Sequence, residues 1–279
     1  MEVLISEIAD GLNFVDGIWY STKRSEISYP KHGNEECFQV EDKSYWFVHR
    51  NKLLGLIIQR YSDGKSFFDV GGGNGYVTKA LQDLGLDACL VEPGIQGIKN
   101  AENRGVTNLI NSSLQDCCFK NSIISNIGLF DVLEHIEDDF RFLETLNKLL
   151  TVNGKLFISV PAYKFLWSDN DLSAGHYRRY SLKSLSALLR NSGFSIEYKT
   201  YFFSFLVPMV FLFRTVPWIL LKNKIKRAPQ KDHYVRSGII NRFLEFLSRF
   251  ELYIIGRNMK IISGSSCIIV AKKAIDDSI

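Results

Sequence analysis

Short apolar blocks alternate with amphipathic segments along the middle of the chain. Apolar positions spaced for one helical face predict helices near 76–84, 94–103 and 137–150. Between these helices lie the apolar runs that predict strands, at 66–70, 87–92, 108–112, 124–130 and 154–161. Strands that alternate with helices favour a parallel sheet covered on both faces, and right-handed crossovers restrict it to a doubly wound α/β fold.

The pattern extends beyond this core on both sides. Residues 44–61 predict an amphipathic helix with Ser44 as its N-cap, and a second helix is predicted from Ser181 to Gly193. Further strands are predicted at 194–202 and 265–273. The expected sheet is therefore mostly parallel and has seven strands.

About sixty residues between the last two strands do not fit a hairpin. They hold an apolar block, a basic stretch and an amphipathic segment, at 201–221, 222–236 and 239–256. We interpret them as a helical insertion before the last strand, and we expect 29–37 to form a loop. The expected organisation has four parts: an N-terminal helical cap at 1–62, the core at 63–200, the insertion at 201–262, and the last strand with a tail at 263–279.

The glycine-rich stretch after the first core strand carries the strongest chemical signal. The strand ends at Asp69, and Gly71, Gly73 and Gly75 follow before a helix begins. Such a loop lets the backbone approach a ligand closely at a helix N-terminus. The dinucleotide fingerprint G-x-G-x-x-G would need glycine where the chain has Tyr76, so an NAD-dependent dehydrogenase is the disfavoured alternative.

Two more segments complete the pattern. Glu92 ends the second core strand, 23 residues after Asp69, where a carboxylate can accept hydrogen bonds from both hydroxyls of a ribose. The sequence LFDVLEHIEDD occupies 129–139. Together with D-x-G-x-G-x-G at 69–75, these segments resemble the class I S-adenosylmethionine (SAM) dependent methyltransferases, whose sheet is Rossmann-like. The resemblance covers roughly 45–200 and the terminal strand.

The resemblance implies SAM as the cofactor, S-adenosylhomocysteine as its product, and a set of cofactor contacts. These contacts are Asp69, Gly71, Gly73, Gly75, Glu92, Pro93, Ser113, Leu114, Phe130, Trp46 and Arg50. Related enzymes often have an acid where this chain has Ser113, so we expect the adenine to lie against backbone and Leu114. Arg50 is expected to pair with the methionine carboxylate while Trp46 excludes water, or else to lie in solvent on a helix that packs on the sheet.

Two histidines are candidates for a catalytic base, since imidazole titrates near neutral pH. His176, the first choice, lies in the loop after the fifth core strand, and His135 lies in the LEH triplet that resembles the segment beside the sulfonium. The sequence GHYRRYS resembles a branch of these enzymes associated with polysaccharides and lipid-linked glycans. Its Arg178, Arg179 and Tyr180 are candidates to bind an anionic acceptor. The alternatives are a structural His135, and arginines that cap the next helix or face solvent.

Composition narrows the class of partner. The chain has 34 Lys+Arg against 30 Asp+Glu, a net charge of +4 that is too small to predict a nucleic-acid partner. Its five cysteines show no CxxC spacing and are odd in number, so neither a zinc site nor a disulfide framework is expected, and no metal is assigned. The first residues include acids and lack a basic n-region, which argues against a signal peptide and favours the cytoplasm.

The apolar block at 201–221 is long enough for a membrane span, but Pro208, Arg214 and Pro217 interrupt it. A polybasic flank follows, at Lys222, Lys224, Lys226, Arg227 and Lys231. An apolar helix beside such a flank is typical of peripheral contact with an anionic surface, here through 201–231 at the inner face of the membrane. A broken pair of helices that is buried as a lid, a cap or a dimer surface is the favoured interpretation, and peripheral membrane contact is the alternative.

The resulting hypothesis is a SAM-dependent methyltransferase that acts on oxygen of a small-molecule, glycan or lipid-linked acceptor. Methyl transfer to nitrogen or carbon keeps the same fold and is an open alternative. So is a SAM-binding regulatory or scaffold protein without catalysis. The sequence indicates no oligomeric state.

Overall fold

The computed structural model describes residues 2–23, 33–64, 66–220 and 239–274. Its centre is one mixed sheet of nine strands. The strands are β1 (Leu12–Val15), β2 (Ile18–Ser21), β3 (Phe67–Val70), β4 (Ala88–Val91), β5 (Leu109–Asn111), β6 (Ile124–Phe130), β7 (Leu150–Pro161), β8 (Phe194–Phe202) and β9 (Ser266–Lys273).

Eleven α-helices are present in the described part of the chain. They are α1 (Glu2–Ile8), α2 (Gly33–Phe38), α3 (Tyr45–Tyr61), α4 (Tyr76–Asp83), α5 (Ile95–Asn103), α6 (Asp139–Leu149), α7 (Asp169–Ala174), α8 (Leu182–Asn191), α9 (Leu206–Val210), α10 (Val216–Leu220) and α11 (Ile239–Gly256). Short 3₁₀ turns lie at Leu133–His135 and Lys164–Leu166, and a π-helical turn at Phe211–Thr215 joins α9 to α10.

The strands lie in the order β1-β2-β5-β4-β3-β6-β7-β9-β8. From β2 to β7 in this order, all neighbours pair parallel. The β1–β2 hairpin and the pairs of β9 with β7 and β8 are antiparallel. The chain leaves β3 toward β4 on one side and later returns to β6 on the other. Ligands bind beyond the carboxyl ends of the strands at such a switch point.

The expected α/β Rossmann-like class is confirmed, but the sheet has nine strands and not seven. The extra strands, β1 and β2, lie in the N-terminal segment. Asp16 and Gly17 form their two-residue turn with φ of 48° and 86°, the left-handed conformation that Asp-Gly favours in hairpins. Buried Ile18 and Trp19 then pair with β5. The Asp-Gly pair is a hairpin signal in the sequence that the prediction of seven strands left out.

The expected loop at 29–37 is also partly helical. Residues 33–37 belong to α2, while 29–32 lie outside the described residues.

The central strands are buried on both faces because helices cover both. In β3, Phe67 packs with side chains of α3 and α4, while the next residue, Phe68, packs in the cluster that includes α6 and α8. All four residues of β3 are buried. A continuous apolar run of this kind is typical of a central parallel strand.

The described part of the insertion between β8 and β9 is helical. It comprises α9, the π turn and α10, followed after a gap by α11, which packs against α3. The predicted basic stretch at 222–236 lies outside the described residues. Among the helices that the structure describes, none is long and apolar enough to cross a membrane.

Glu251 anchors α11 to the core. Its buried carboxylate accepts hydrogen bonds from His49 Nε2 of α3 and from the Phe203 amide, both at 2.8 Å. The amide and hydroxyl of Ser204 donate to the second oxygen, each at 3.0 Å. Burial alone would raise the pKa of Glu251, but these donors outweigh it and lower the pKa below its ordinary value.

The substitution Glu251→Ala should therefore destabilise the fold. It leaves the His49 ring and two amides buried without their acceptor, which is expected to lower the free energy of unfolding by about 3 kcal/mol. Urea denaturation at pH 7 measures this. Glu245→Ala, at an exposed position of the same helix, is the control and should change the value by less than about 0.5 kcal/mol. Equal effects of the two substitutions would contradict the anchoring role.

Candidate functional site

A cavity of about 1050 Å³ opens at the carboxyl ends of β3, β4 and β6. Its wall combines the glycine loop after β3, the ends of β4 and β5, and the segment after β6. Residues of α2 and α3 and of the insertion close it from above. The cavity therefore lies at the switch point where the topology predicts a ligand.

Gly71 and Gly73 shape the floor of the cavity. Their φ angles of 71° and 57° lie in the left-handed region that favours glycine. A Cβ on Gly71 would stand 2.8 Å from Val132, while a Cβ on Gly73 would project into space with Asn34 as its nearest neighbour at 3.7 Å. At Gly73 the bare backbone can therefore approach a ligand.

Gly75 has a different role, although its φ of 68° is similar. A Cβ there would lie 2.8 Å from Ala101 and 2.9 Å from Val106, on the side of α5 and not of the cavity. The structure places Gly75 where it lets the N-terminus of α4 approach α5.

Asp69 is fully buried beneath the glycine loop. Its Oδ2 accepts a hydrogen bond from the Thr78 hydroxyl at 2.7 Å, and its Oδ1 has no hydrogen-bond partner among the described residues. Burial raises the pKa of Asp69 to about 6, although the Thr78 hydroxyl and the charge of Arg50 act in the opposite direction. Asp69 is among the residues that line the cavity, so this oxygen is a candidate acceptor for a hydrogen bond from a ligand.

Glu92, directly after β4, is held by backbone amides. Oε2 accepts from the Gly73 amide at 3.0 Å and Oε1 accepts from the Gly94 amide at 2.7 Å, with a further bond from the Asn34 side chain. Burial raises its pKa to about 7 despite these donors. Each oxygen keeps acceptor capacity toward the cavity.

A polar network that the sequence analysis did not identify holds α2 over Glu92. Asn74 donates to the Asn34 carbonyl at 2.8 Å and to Glu41 at 3.1 Å. Arg104 donates to the other Glu41 oxygen at 2.8 Å. These contacts bring together residues that are 33 to 63 positions apart in sequence, so no local sequence pattern predicts them.

The far end of the cavity is mostly apolar. It is lined by Pro93, Ser113, Leu114 and Phe130. The Ser113 hydroxyl donates to Asp116 at 2.8 Å and is thus engaged within its own loop. Leu114 and the backbone remain as a surface for a planar apolar group.

Arg50 lies inside the cap and not in solvent. Its side chain is 8% exposed, and Nε lies 2.6 Å from Asp131 Oδ2 in a close ion pair without hydrogen-bond alignment. The guanidinium also lies over the Trp46 ring, 5.5 Å from its centroid. Both residues line the cavity, so Arg50 presents a positive charge to a ligand there.

The structure brings the two candidate histidines together. The rings of His135 and His176 are perpendicular, with centroids 4.7 Å apart. One ligand atom from each histidine and one from Glu134 lie within 4.8 Å of one another, and all three residues line the cavity. Both histidines are candidate bases predicted from the sequence, whereas Glu134 had no predicted role.

Asp171 orients His176. Its Oδ1 lies 2.9 Å from His176 Nδ1, and its two oxygens accept hydrogen bonds from Arg179 at 2.6 and 3.1 Å. Burial would raise the pKa of Asp171, but His176 and Arg179 lower it below its ordinary value. Asp171 is therefore ionised at neutral pH, and it fixes both the ring and the guanidinium.

Burial also controls the protonation of the neighbouring groups. It lowers the pKa of His135 to about 4, helped by the proximity of His176, so His135 is neutral at pH 7. It raises the pKa of Glu134 well above the ordinary value, and the charge of Asp131 adds to the shift. Glu134 Oε2 has no hydrogen-bond partner among the described residues.

Two of the three expected acceptor contacts lie away from the cavity. Arg178 pairs with Asp139 at 2.7 Å and donates to the Glu137 carbonyl at 2.6 Å. Tyr180 donates to the same Asp139 carboxylate at 2.7 Å. Only Arg179 borders the cavity, and there it is paired with Asp171.

Comparison of the sequence with known families identifies a family whose matched region contains most of this site. The family described as "Methyltransferase domain" matches residues 46–199, more than half of the chain and the part that carries the glycine loop, Glu92 and both histidines.

Individual relatives are distant. The chain is 22% identical over 176 residues to a "probable S-adenosylmethionine-dependent methyltransferase" of Mycolicibacterium smegmatis, covering 60% of this chain and 66% of that protein. It is 24% identical over 103 residues to a ubiquinone biosynthesis O-methyltransferase of Caulobacter vibrioides, covering 35% and 41%. The chain thus spans less than two thirds of the length of these relatives.

A solved structure shares the fold. Phosphoethanolamine N-methyltransferase 2 of Haemonchus contortus, in complex with SAM, superposes with a TM-score of 0.54 at 16% identity, covering 89% of this chain and 58% of that one. The likeness at this level of identity concerns the fold.

Proposed function

The chain belongs to the methyltransferase-domain family and is a SAM-dependent methyltransferase, and we propose that it methylates an oxygen atom of a small-molecule or lipid-linked glycan acceptor. The His176–Asp171 pair at the cavity is the observation that supports oxygen. When bound, SAM supplies a methyl group on a sulfonium, which becomes the neutral thioether of S-adenosylhomocysteine as the acceptor's lone pair takes the methyl carbon.

The residues around the glycine loop fit SAM. Glu92 offers carboxylate oxygens to the ribose hydroxyls, and the unpaired Asp69 oxygen is an acceptor for a donor such as the methionine ammonium. Arg50 offers its charge to the methionine carboxylate, and Leu114 offers an apolar surface to the adenine. Gly73, where a Cβ would project into the cavity, leaves room for the cofactor.

His176 supplies what a hydroxyl acceptor needs. A hydroxyl must lose its proton when its oxygen takes the methyl group, whereas an amine can react through its lone pair before losing a proton. With Nδ1 held by Asp171, the Nε2 of His176 can take that proton and pass it to solvent. Asp171 then stabilises the imidazolium, which is why the dyad favours oxygen over nitrogen.

The binding of SAM should depend on the ionisation of Glu92. Because the pKa of Glu92 is about 7 and its ionised form accepts both ribose hydroxyls better, SAM affinity should rise as pH increases from 6.5 to 8. Glu92→Gln should weaken binding by roughly tenfold and flatten this rise. Calorimetric titration with SAM measures both effects.

Glu102→Gln, at an exposed position of α5, is the matched control and should keep the wild-type pH profile. A decrease near pH 6 in all variants would come from Asp69, whose pKa is about 6. An unchanged slope between pH 6.5 and 8 in Glu92→Gln would contradict the assignment of Glu92 to the ribose.

Methyl transfer can be tested with SAM and pairs of acceptors. The two members of a pair are identical except that one carries a hydroxyl where the other carries an amine. We expect S-adenosylhomocysteine and a methyl ether from the hydroxyl members, detected by mass spectrometry. His176→Gln should reduce turnover by roughly 100-fold or more while SAM affinity stays unchanged. Product from the amines alone would assign the enzyme to nitrogen.

An exposed apolar face beside the cavity supports a lipid-linked acceptor. On α11, four aromatic side chains at helical spacing face outward and are 53–64% exposed: Phe243, Phe246, Phe250 and Tyr253. Arg242 and Arg249 are exposed on the same helix. In sequence, the polybasic flank lies between this helix and α10. Aromatic side chains with basic neighbours match an anionic lipid surface, so we propose peripheral contact with the inner face of the membrane.

Other residues of the same insertion reach the cavity. Leu206, Met209, Val210 and Leu244, all from the insertion, line the cavity itself. A lipid tail that lies along the exposed face would therefore place its head group at the acceptor end, without any helix crossing the membrane.

Vesicle sedimentation tests this contact. The protein should pellet with phosphatidylglycerol vesicles at low salt and stay in solution with phosphatidylcholine vesicles. Phe246→Ser combined with Phe250→Ser should abolish pelleting, whereas Glu245→Ser at an exposed position of α11 should not. Failure to pellet, or a concentration-dependent dimer that the double substitution dissociates, would assign the face to another partner.

A further inference from the structure

We propose that Glu134, His135 and His176 bind a divalent first-row transition cation at the acceptor end of the cavity. The three residues come from two segments, the 3₁₀ turn after β6 and the loop after α7. One ligand atom from each lies within 4.8 Å of the others. The cysteine spacing gave no reason to expect a metal, but this donor set contains no cysteine.

The distances among the three ligand atoms are close to those in a site that holds a metal ion. With metal–ligand bonds of about 2.0–2.2 Å, two ligands of one ion stand at most about 4 Å apart. A contraction of roughly 1 Å therefore closes the site. Side-chain rotation can supply it, because the two histidine rings already lie 4.7 Å apart between centroids.

Glu134 gives the strongest single indication of a cation site. Glu134 lines the cavity and is 1% exposed, and its buried Oε2 has no hydrogen-bond partner among the described residues. A buried carboxyl group whose oxygen has no hydrogen-bond partner is costly unless it is neutralised, by a proton in the cation-free protein or by a bound cation. A cation held between Glu134 and the two imidazoles would do so.

His176 has the support typical of a metal-bound imidazole. Its Nδ1 is engaged by Asp171, which leaves Nε2 as the ligand atom. Arg179 in turn holds both oxygens of Asp171. A carboxylate behind the histidine fixes the tautomer and the orientation of the ring, and it strengthens the imidazole as a ligand.

The donor set selects the class of cation. Two imidazole nitrogens and one carboxylate oxygen suit Zn²⁺ or Mn²⁺, whereas Mg²⁺ prefers an all-oxygen shell. Three protein ligands also leave at least one position open, and there the acceptor hydroxyl can bind.

The proposal rests on the oxygen transfer inferred above and specifies how the two histidines contribute. In the cation-free protein His176 is the base. With the cation bound, both imidazoles are ligands, and the cation lowers the pKa of the acceptor hydroxyl so that its proton leaves to solvent water. The deprotonated oxygen then attacks the methyl carbon, and the electrons of the C–S bond remain on sulfur.

Binding is measured on the full chain without any acceptor, after dialysis against a chelator. Titration with Mn²⁺ by electron paramagnetic resonance, and with Zn²⁺ by calorimetry, should show one saturable site per chain. Glu134→Gln and His176→Gln should each weaken binding by roughly tenfold or more. The control Glu137→Gln, at an exposed position of the same segment, should bind as the wild type does.

Saturable binding that persists in the Glu134→Gln, His176→Gln double variant would overturn the proposal, as would the absence of saturable Mn²⁺ and Zn²⁺ binding. Because this readout needs neither SAM nor acceptor, it is independent of the oxygen assignment. If hydroxyl acceptors are methylated equally well before and after chelation, oxygen transfer stands and the role given to the cation fails.

Discussion

Two buried carboxylates at the ends of neighbouring parallel strands determine the shape of the cofactor end. Asp69 lies in β3, and Glu92 directly follows β4. These two strands pair parallel along Phe67–Val70 of β3. The ladder fixes both carboxylates, and the glycine loop must adapt to them. The Gly73 amide donates to Glu92, and Gly72 passes so close to Asp69 that a Cβ would stand 2.5 Å from its Oδ2. Glycine is required at position 72 by distance, whereas at Gly71 and Gly73 the positive φ favours it.

Asp171 has the same positioning role near the two histidines, where it lies in the short helix α7 and no β-ladder fixes it. It holds His176 and Arg179, and the segment is bound to the turn after β6 because the Tyr177 amide donates to the Glu134 carbonyl at 2.8 Å. The two histidines therefore keep their relative geometry before any ligand arrives. Preorganisation of this kind is what positions reacting groups efficiently.

The sequence predicted the features that depend on the order of residues within a short segment. Strand periodicity located β3 to β9, and an acid at a strand end identified Asp69 and Glu92, because the carboxyl end of a parallel strand is a ligand edge in any such fold. Contacts between distant segments were not predictable. Arg104 reaches Glu41 across 63 positions. The motif around Tyr180 suggested acceptor binding, and only the fold shows this side chain turned toward α6.

The insertion is joined to the site through buried contacts. Glu251 on the inner side of α11 accepts a hydrogen bond from the Phe203 amide. The Phe203 ring stacks on the Trp46 ring, with 5.4 Å between the ring centroids. Trp46 in turn lies beneath Arg50 at the cavity wall. The outer side of the same helix carries the exposed aromatic stripe. Because one rigid helix bears both faces, a surface that binds the stripe also sets the orientation of the cavity mouth relative to that surface. Under the proposed membrane contact, docking and acceptor entry would be one geometric event, which a flexible tether to the same surface would not provide.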